Sequence, residues 1–187
     1  MAAVDDYDLL LVPGSENSGP DHWQSHWARL YPNSTRVVND DWLTPKLADW
    51  VDRLDGYVRL GSRPAIIVVH SLACPVVAHW AASRPQGRVV AGLLVAVPDL
   101  EAPDSIETFE PAFTPYPRKK FGFPATVVGS TNDPFGKIES ARAFAAAWGT
   151  DFVDVGALGH INSDSKLGEW PRGQEILARL IARAAQA

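Results

Sequence analysis

A single cysteine, Cys74, excludes an intrachain disulfide and any zinc or iron–sulfur site built from several cysteines. Nothing signal-like opens the chain: Met1-Ala-Ala-Val-Asp-Asp-Tyr-Asp8 is acidic where a secretory leader carries positive charge ahead of an apolar stretch. The expected location is therefore the reducing cytoplasm. Basic residues are in deficit, 17 Lys+Arg against 22 Asp+Glu for a formal charge of −5, which argues against nucleic acid as a partner. Long apolar runs are missing too. The longest, Val89 to Pro98, is about ten residues, roughly half of a membrane-spanning helix, so no membrane partner is expected. No internal repeat or low-complexity linker divides the chain.

What is present is enough apolar material for a core: 46% of 187 residues, with 21% charged, the balance of one globular domain over residues 1–187. Short β-rich runs alternate with segments of helical period, the pattern of an α/β domain with a mainly parallel sheet. Six strands are expected, at Tyr7–Val12, Thr35–Val38, Ala65–Val69, Val89–Val97, Ala125–Gly129 and Asp151–Val155. The third, fourth and fifth are almost wholly apolar and should be central. Helices are expected at His22–Leu30, Pro45–Leu60, Lys137–Trp148 and about Gln174–Ala185, with another following the third strand. Asp99 to Phe123 has neither period and four prolines, so it reads as a long loop, with at most one helical turn near Ser105–Phe109.

The most informative junction is Ile66-Ile-Val-Val-His-Ser-Leu-Ala-Cys-Pro75, where a buried strand runs into a helix with Ser71 at the turn. A serine at such an elbow is exposed at the carboxyl end of the sheet, and the helix start behind it offers N–H groups to an oxyanion. Val69 and Ala73 flank it where glycines would allow closer approach. Without partners, a serine that simply N-caps the helix is the favoured reading of such a junction. The partners exist in the order Ser, Asp, His: Asp133 follows the fifth strand and His160 the sixth. In a parallel sheet those strand ends share one edge, so the three can converge. Ser71 would be the nucleophile, His160 the base and Asp133 the group that fixes the imidazole tautomer. The backbone N–H groups of Ser15, after the first strand, and Leu72 would form the oxyanion hole.

These residues resemble the small serine hydrolases of the YdeN and retinoblastoma-binding-protein type, within the α/β-hydrolase superfamily. The resemblance runs through Pro13-Gly14, His22-Trp23, Asp41-Trp42 with Pro45, His70-Ser71-Leu72 and Asp133. It is most specific in Gly159-His-Ile-Asn162, Leu167-Gly168 and Trp170-Pro171 with Gly173. It implies a doubly wound sheet of order 2-1-3-4-5-6 with helices on both faces, no cap domain, and Ser71, Asp133 and His160 as the triad. Ala73 departs from the family's usual elbow glycine. The retinoblastoma-binding signature Leu-x-Cys-x-Glu is absent, and no protein partner is carried over.

Other residues compete for roles. Asp99, after the fourth strand, is the alternative acid. His22 and His26 lack the acidic motif of a helical metal site and read as partly exposed helix histidines; no metal or cofactor is expected. His70 is expected to make a structural hydrogen bond, His79 to pack, and Cys74 to be a small buried core residue. Trp23, Trp42 and Trp170, in loops or helix starts, are candidate pocket walls. Arg118-Lys-Lys120 reads as a solvated loop able to steer an anion. The expected function is hydrolysis of a small ester or other activated acyl compound in a shallow, open pocket. A binding module on the same scaffold and acyl transfer to another acceptor are the rival readings.

Overall fold

The computed structural model describes residues 4–105 and 109–186. Six strands form one sheet: β1 (Asp8–Val12), β2 (Ser34–Arg36), β3 (Ala65–His70), β4 (Val89–Val95), β5 (Ala125–Gly129) and β6 (Asp151–Asp154). Their order is β2-β1-β3-β4-β5-β6 and every pairing is parallel. Five helices, α1 (Trp23–Leu30), α2 (Leu47–Leu60), α3 (Ala73–Ser83), α4 (Ile138–Trp148) and α5 (Pro171–Ala184), cover it. Among the described residues no cap domain is inserted.

The period-2 geometry of the strands sorts their side chains into two layers. Leu9, Leu11, Ile66, Val68, Leu93 and Val95 pack against Trp23 and Trp27 of α1 and Ile176, Leu177, Leu180 and Ile181 of α5. Their neighbours Leu10, Val12, Ile67, Val69, Leu94 and Val127 face α2, α3 and α4, where Trp50, Leu54, Trp80, Phe144 and Trp148 fill the layer. Each fully buried aliphatic or phenyl side chain contributes about 1.5–3 kcal/mol of transfer free energy. The two layers, rather than the short edge strands, therefore hold the sheet. Helix α3 is apolar almost all round because it lies under the long loop as well as on the sheet.

Element ends differ from expectation for identifiable reasons. β4 stops at Val95 although the apolar run continues, because Ala96 adopts φ +56° and turns the chain out of the ladder. α5 begins three residues early, at Pro171, where the ring's fixed φ suits the first helical position. Gly173 is required there: a Cβ would fall 2.2 Å from the Trp170 ring.

The long loop after β4 is anchored rather than structureless. Phe113, Tyr116 and Phe123 are buried in the core. The Tyr116 hydroxyl donates to Pro98 O at 3.0 Å and accepts from Leu100 N at 3.3 Å. Arg118 pairs with Glu101 and lies 4.6 Å over the Phe144 ring, so this member of the basic trio is tied down rather than free to steer an anion. The helical turn expected near Ser105–Phe109 lies largely on 106–108, outside the described residues.

Candidate active site

Ser71 stands between β3 and α3 with φ +52°. A left-handed non-glycine residue costs about 1–3 kcal/mol and persists where its surroundings over-determine it. Here Ser71 N donates to Val95 O at 2.9 Å, and Ser71 O accepts Cys74 N at 2.8 Å, closing the first turn of α3. Val69 and Ala73 are accommodated because the close approach is made from another loop. A Cβ on Gly14, just after β1, would lie 2.8 Å from Ser71 Cβ, 3.0 Å from His70 O and 3.2 Å from Leu72 N. Only glycine lets the loop after β1 lie against the elbow.

The structure brings Ser71, His160 and Asp133 into one hydrogen-bonded line. His160 Nε2 is 2.8 Å from Ser71 Oγ, and His160 Nδ1 is 2.9 Å from each carboxylate oxygen of Asp133. The Asp133 side chain is 3% exposed and that of His160 8%. Phe135 N donates to Asp133 Oδ1 at 2.9 Å, and the Phe135 ring meets the imidazole edge-on at 4.5 Å. Two residues with no signature in the sequence place the histidine loop. Ser130 Oγ accepts Leu158 N at 2.9 Å and Asn132 Oδ1 accepts Gly159 N at 2.7 Å, lashing the loop after β6 to the loop after β5. His70, as expected, makes a structural bond: its Nε2–H donates to His160 O at 3.0 Å. Among the described residues, neither Ser15 N nor Leu72 N has a protein acceptor.

These groups open into a cleft of about 530 Å³. Trp42, Leu43, Phe109 and Phe135 give it an apolar side, and Glu16, Asn17, Asn162 and Asp164 a polar one. Of the three candidate pocket tryptophans only Trp42 lines it. Trp23 and Trp170 are buried at 1% and 2% exposure with ring centroids 5.0 Å apart, filling the core under the histidine loop. Trp23 still acts on the site from below, since its Nε1–H donates to Ile161 O at 2.8 Å.

His22 also departs from expectation: it is 3% exposed and lines the cleft rather than lying on an exposed helix face. Its Nδ1 accepts Gln24 N at 3.1 Å and caps α1, which leaves the hydrogen on Nε2. Burial, reinforced by the Arg36 guanidinium and by His160 and His26, lowers its pKa from 6.5 to about 3. His70 is likewise held well below the usual histidine range by burial, then by His22 and His160. Asp99, the alternative acid, spends its carboxylate on Glu101 N at 3.2 Å and makes no bond to His160. His79 accepts no catalytic role and meets Phe113 O at 3.1 Å. Cys74 is fully buried beside Val95 O, and burial pushes its thiol up. No cluster of three metal-ligating side chains exists among the described residues, nor any helix long and apolar enough to cross a membrane.

A parallel sheet of this order with a strand–serine–helix elbow on its third strand is the architecture of the α/β-hydrolases. Within that class the chain belongs to the serine hydrolase family, whose family model matches residues 9–179. It is similar to a YdeN-like hydrolase from Pectobacterium atrosepticum, with 28% identity and a TM-score of 0.83 over 96% of this chain and 92% of that one. The ydeN gene product of B. subtilis is similar in fold, with 18% identity and a TM-score of 0.71 over 94% of this chain and 99% of that one. So is Est1E of Butyrivibrio proteoclasticus, solved with ferulic acid, with 12% identity and a TM-score of 0.64 over 95% of this chain and 91% of that one. Comparison with the curated proteins gave no significant match. The protein is thus a serine hydrolase of the α/β-hydrolase fold.

Proposed function

We propose that the protein hydrolyses small carboxylic esters through an acyl-enzyme on Ser71. The observation that carries this reading is the unbroken line from Ser71 Oγ through the imidazole of His160 to the Asp133 carboxylate. A serine hydroxyl is a weak nucleophile near neutral pH, and a base at 2.8 Å removes that limit. Ser71 Oγ attacks the ester carbon as its proton passes to His160 Nε2, while Asp133 holds the Nδ1–H tautomer and stabilises the imidazolium. The developing oxyanion is held by Ser15 N–H and Leu72 N–H, both free of protein acceptors among the described residues. Collapse expels the alcohol with the proton from His160, and water repeats the cycle to release the acid and restore Ser71. A cleft of about 530 Å³ is in the range of small-molecule sites, and its aromatic side suits an apolar acyl or alkyl group.

A fluorophosphonate probe should label the protein at Ser71, and Ser71→Ala should abolish labelling and lower turnover of p-nitrophenyl esters by as much as about 10⁶-fold. Folded wild-type protein that neither labels nor turns over such esters would overturn the proposal.

A further inference from the structure

The loop from Pro13 to Ser18 is strained and only partly held by local bonds: Asn17 N donates to Gly14 O at 3.3 Å, Ser18 N to Asn17 Oδ1 at 2.7 Å, and Glu16 N to Trp42 O at 3.0 Å. Glu16 and Asn17 are consecutive non-glycine residues at φ +62° and +65°. L side chains seldom adopt that region, and a pair of them persists only where neighbours fix it. The neighbours are polar and largely buried. Arg36, at the end of β2, donates from one guanidinium nitrogen to Asn17 Oδ1 at 2.9 Å and Ser18 O at 2.8 Å. Its other terminal nitrogen donates to Ser25 Oγ at 2.6 Å, and Ser25 Oγ passes its own hydrogen to Ser18 O at 2.9 Å. Ser18 Oγ donates to Gln24 Oε1 at 2.7 Å. The fully buried Gln24 amide then donates to Val12 O at 3.3 Å and Val68 O at 3.0 Å.

The consequence is geometric. Val12 ends the strand that leads to Ser15, and Val68 lies on the strand that leads to Ser71, so a single side-chain amide spans both. Arg36 braces the same loop from the far side. Its planar fork is directed at neutral oxygens, and charge-assisted bonds of that kind are stronger than those between neutral groups. Ser15 itself makes none of these bonds. It sits between Gly14, packed on the elbow, and the strained Glu16–Asn17 pair, so its N–H direction is set by what holds its neighbours.

We propose that Arg36 and Gln24 are positioning residues that hold the Pro13–Ser18 loop in its strained shape and thereby aim Ser15 N–H at the developing oxyanion. This rests on reading Ser15 and Leu72 as the oxyanion donors. Misplacing a group by 1 Å from a site remote from the chemistry costs about 10²-fold, and losing one oxyanion donor about 10²–10³-fold. Disconnecting the brace should therefore lower kcat by about 10²-fold while KM for the same ester stays nearly constant.

The test compares Arg36→Met, Arg36→Lys, Gln24→Met and Ser25→Ala with wild type. It measures kcat and KM for a p-nitrophenyl ester and Ki for a trifluoromethyl ketone carrying the same acyl group, whose hemiketal oxyanion needs the same donors. The expected result is a fall in kcat, an unchanged KM and a rise in Ki parallel to the loss in kcat/KM, with Arg36→Lys recovering part of each. An unchanged kcat, or a loss of kcat with Ki unmoved, overturns the proposal. Should the methionine variants not fold, Ser25→Ala, which removes one link only, decides on the same three readouts with a smaller effect. Failure of the underlying reading looks different: wild type itself would then resist both the ketone and fluorophosphonate labelling.

Discussion

Asp133→Asn is the most discriminating change available at the site, because the structure dictates how the new amide must sit. Phe135 N donates to Asp133 Oδ1 at 2.9 Å. The asparagine oxygen takes that position, which puts the NH₂ where Oδ2 now stands, 2.9 Å from His160 Nδ1. The retained Oδ1 also lies 2.9 Å from Nδ1 but is already engaged by Phe135 N, so where the amide N–H faces Nδ1 the imidazole hydrogen moves to Nε2, 2.8 Å from Ser71 Oγ. The base then presents a hydrogen to the hydroxyl instead of a lone pair. A wrong tautomer in an otherwise intact triad lowers kcat by about 10⁴, equivalent to about 5.5 kcal/mol of transition-state stabilisation. Steady-state hydrolysis of p-nitrophenyl acetate, with circular dichroism to confirm an unchanged fold, reads this directly. Asp99→Asn is the control, since among the described residues its carboxylate bonds Glu101 N and not His160, and turnover should be unaffected. A loss below tenfold for Asp133→Asn, or a large loss for Asp99→Asn, would refute the assignment of the acid.

Gly14→Ala should destabilise the fold by about 1–3 kcal/mol, measured by urea unfolding, and also lower turnover, because the new methyl meets Ser71 Cβ at 2.8 Å and backbone at 3.0 Å. Acid sensitivity follows from His22 and His70, both held neutral. Below pH 6.5 the unfolded chain binds protons that the folded chain refuses. Stability is thus fully present above pH 6.5 and falls by about 1.4 kcal/mol per pH unit for each such histidine, for His22 down to about pH 3. Unfolding free energies at pH 7.5, 6 and 5 should show His22→Asn, which keeps the cap acceptor, with a shallower slope than wild type; an identical slope would count against a neutral buried His22.

The central sheet and the three strand-end residues were legible because each follows from a local signal. Strands buried on both faces read as unbroken apolar runs, and loops after parallel strands must share an edge. The limits of β4 were not legible, since Ala96 and Val97 are as apolar as Val95 and only a backbone turn separates them. Trp23 and Trp170 show the same ambiguity in side chains: a tryptophan's size signals burial, but a pocket wall and a core look alike until the layers are assembled. The start of α5 was recoverable from Pro171. Ser130, Asn132, Gln24 and Arg36 were not, because their partners lie on other elements and polar residues carry no periodicity that identifies a distant acceptor. His22 departs for a related reason: at the start of a helix and four residues from His26 it reads as a partly exposed helix histidine, whereas the ring of His70, 4.6 Å away, packs against it and it is buried.

The two-layered core bears on how this protein can be monitored. Ser71 opens α3, which belongs to the layer with α2 and α4, whereas Ile161, next to His160, is packed among Trp23, Trp170 and α5 in the other. Nucleophile and base are therefore supported by packing on opposite faces of the sheet, and their 2.8 Å separation depends on both. Enzymatic turnover in a denaturant series therefore reports the loss of either layer, while tryptophan fluorescence, with indoles in both layers, reports the loss of packing around them.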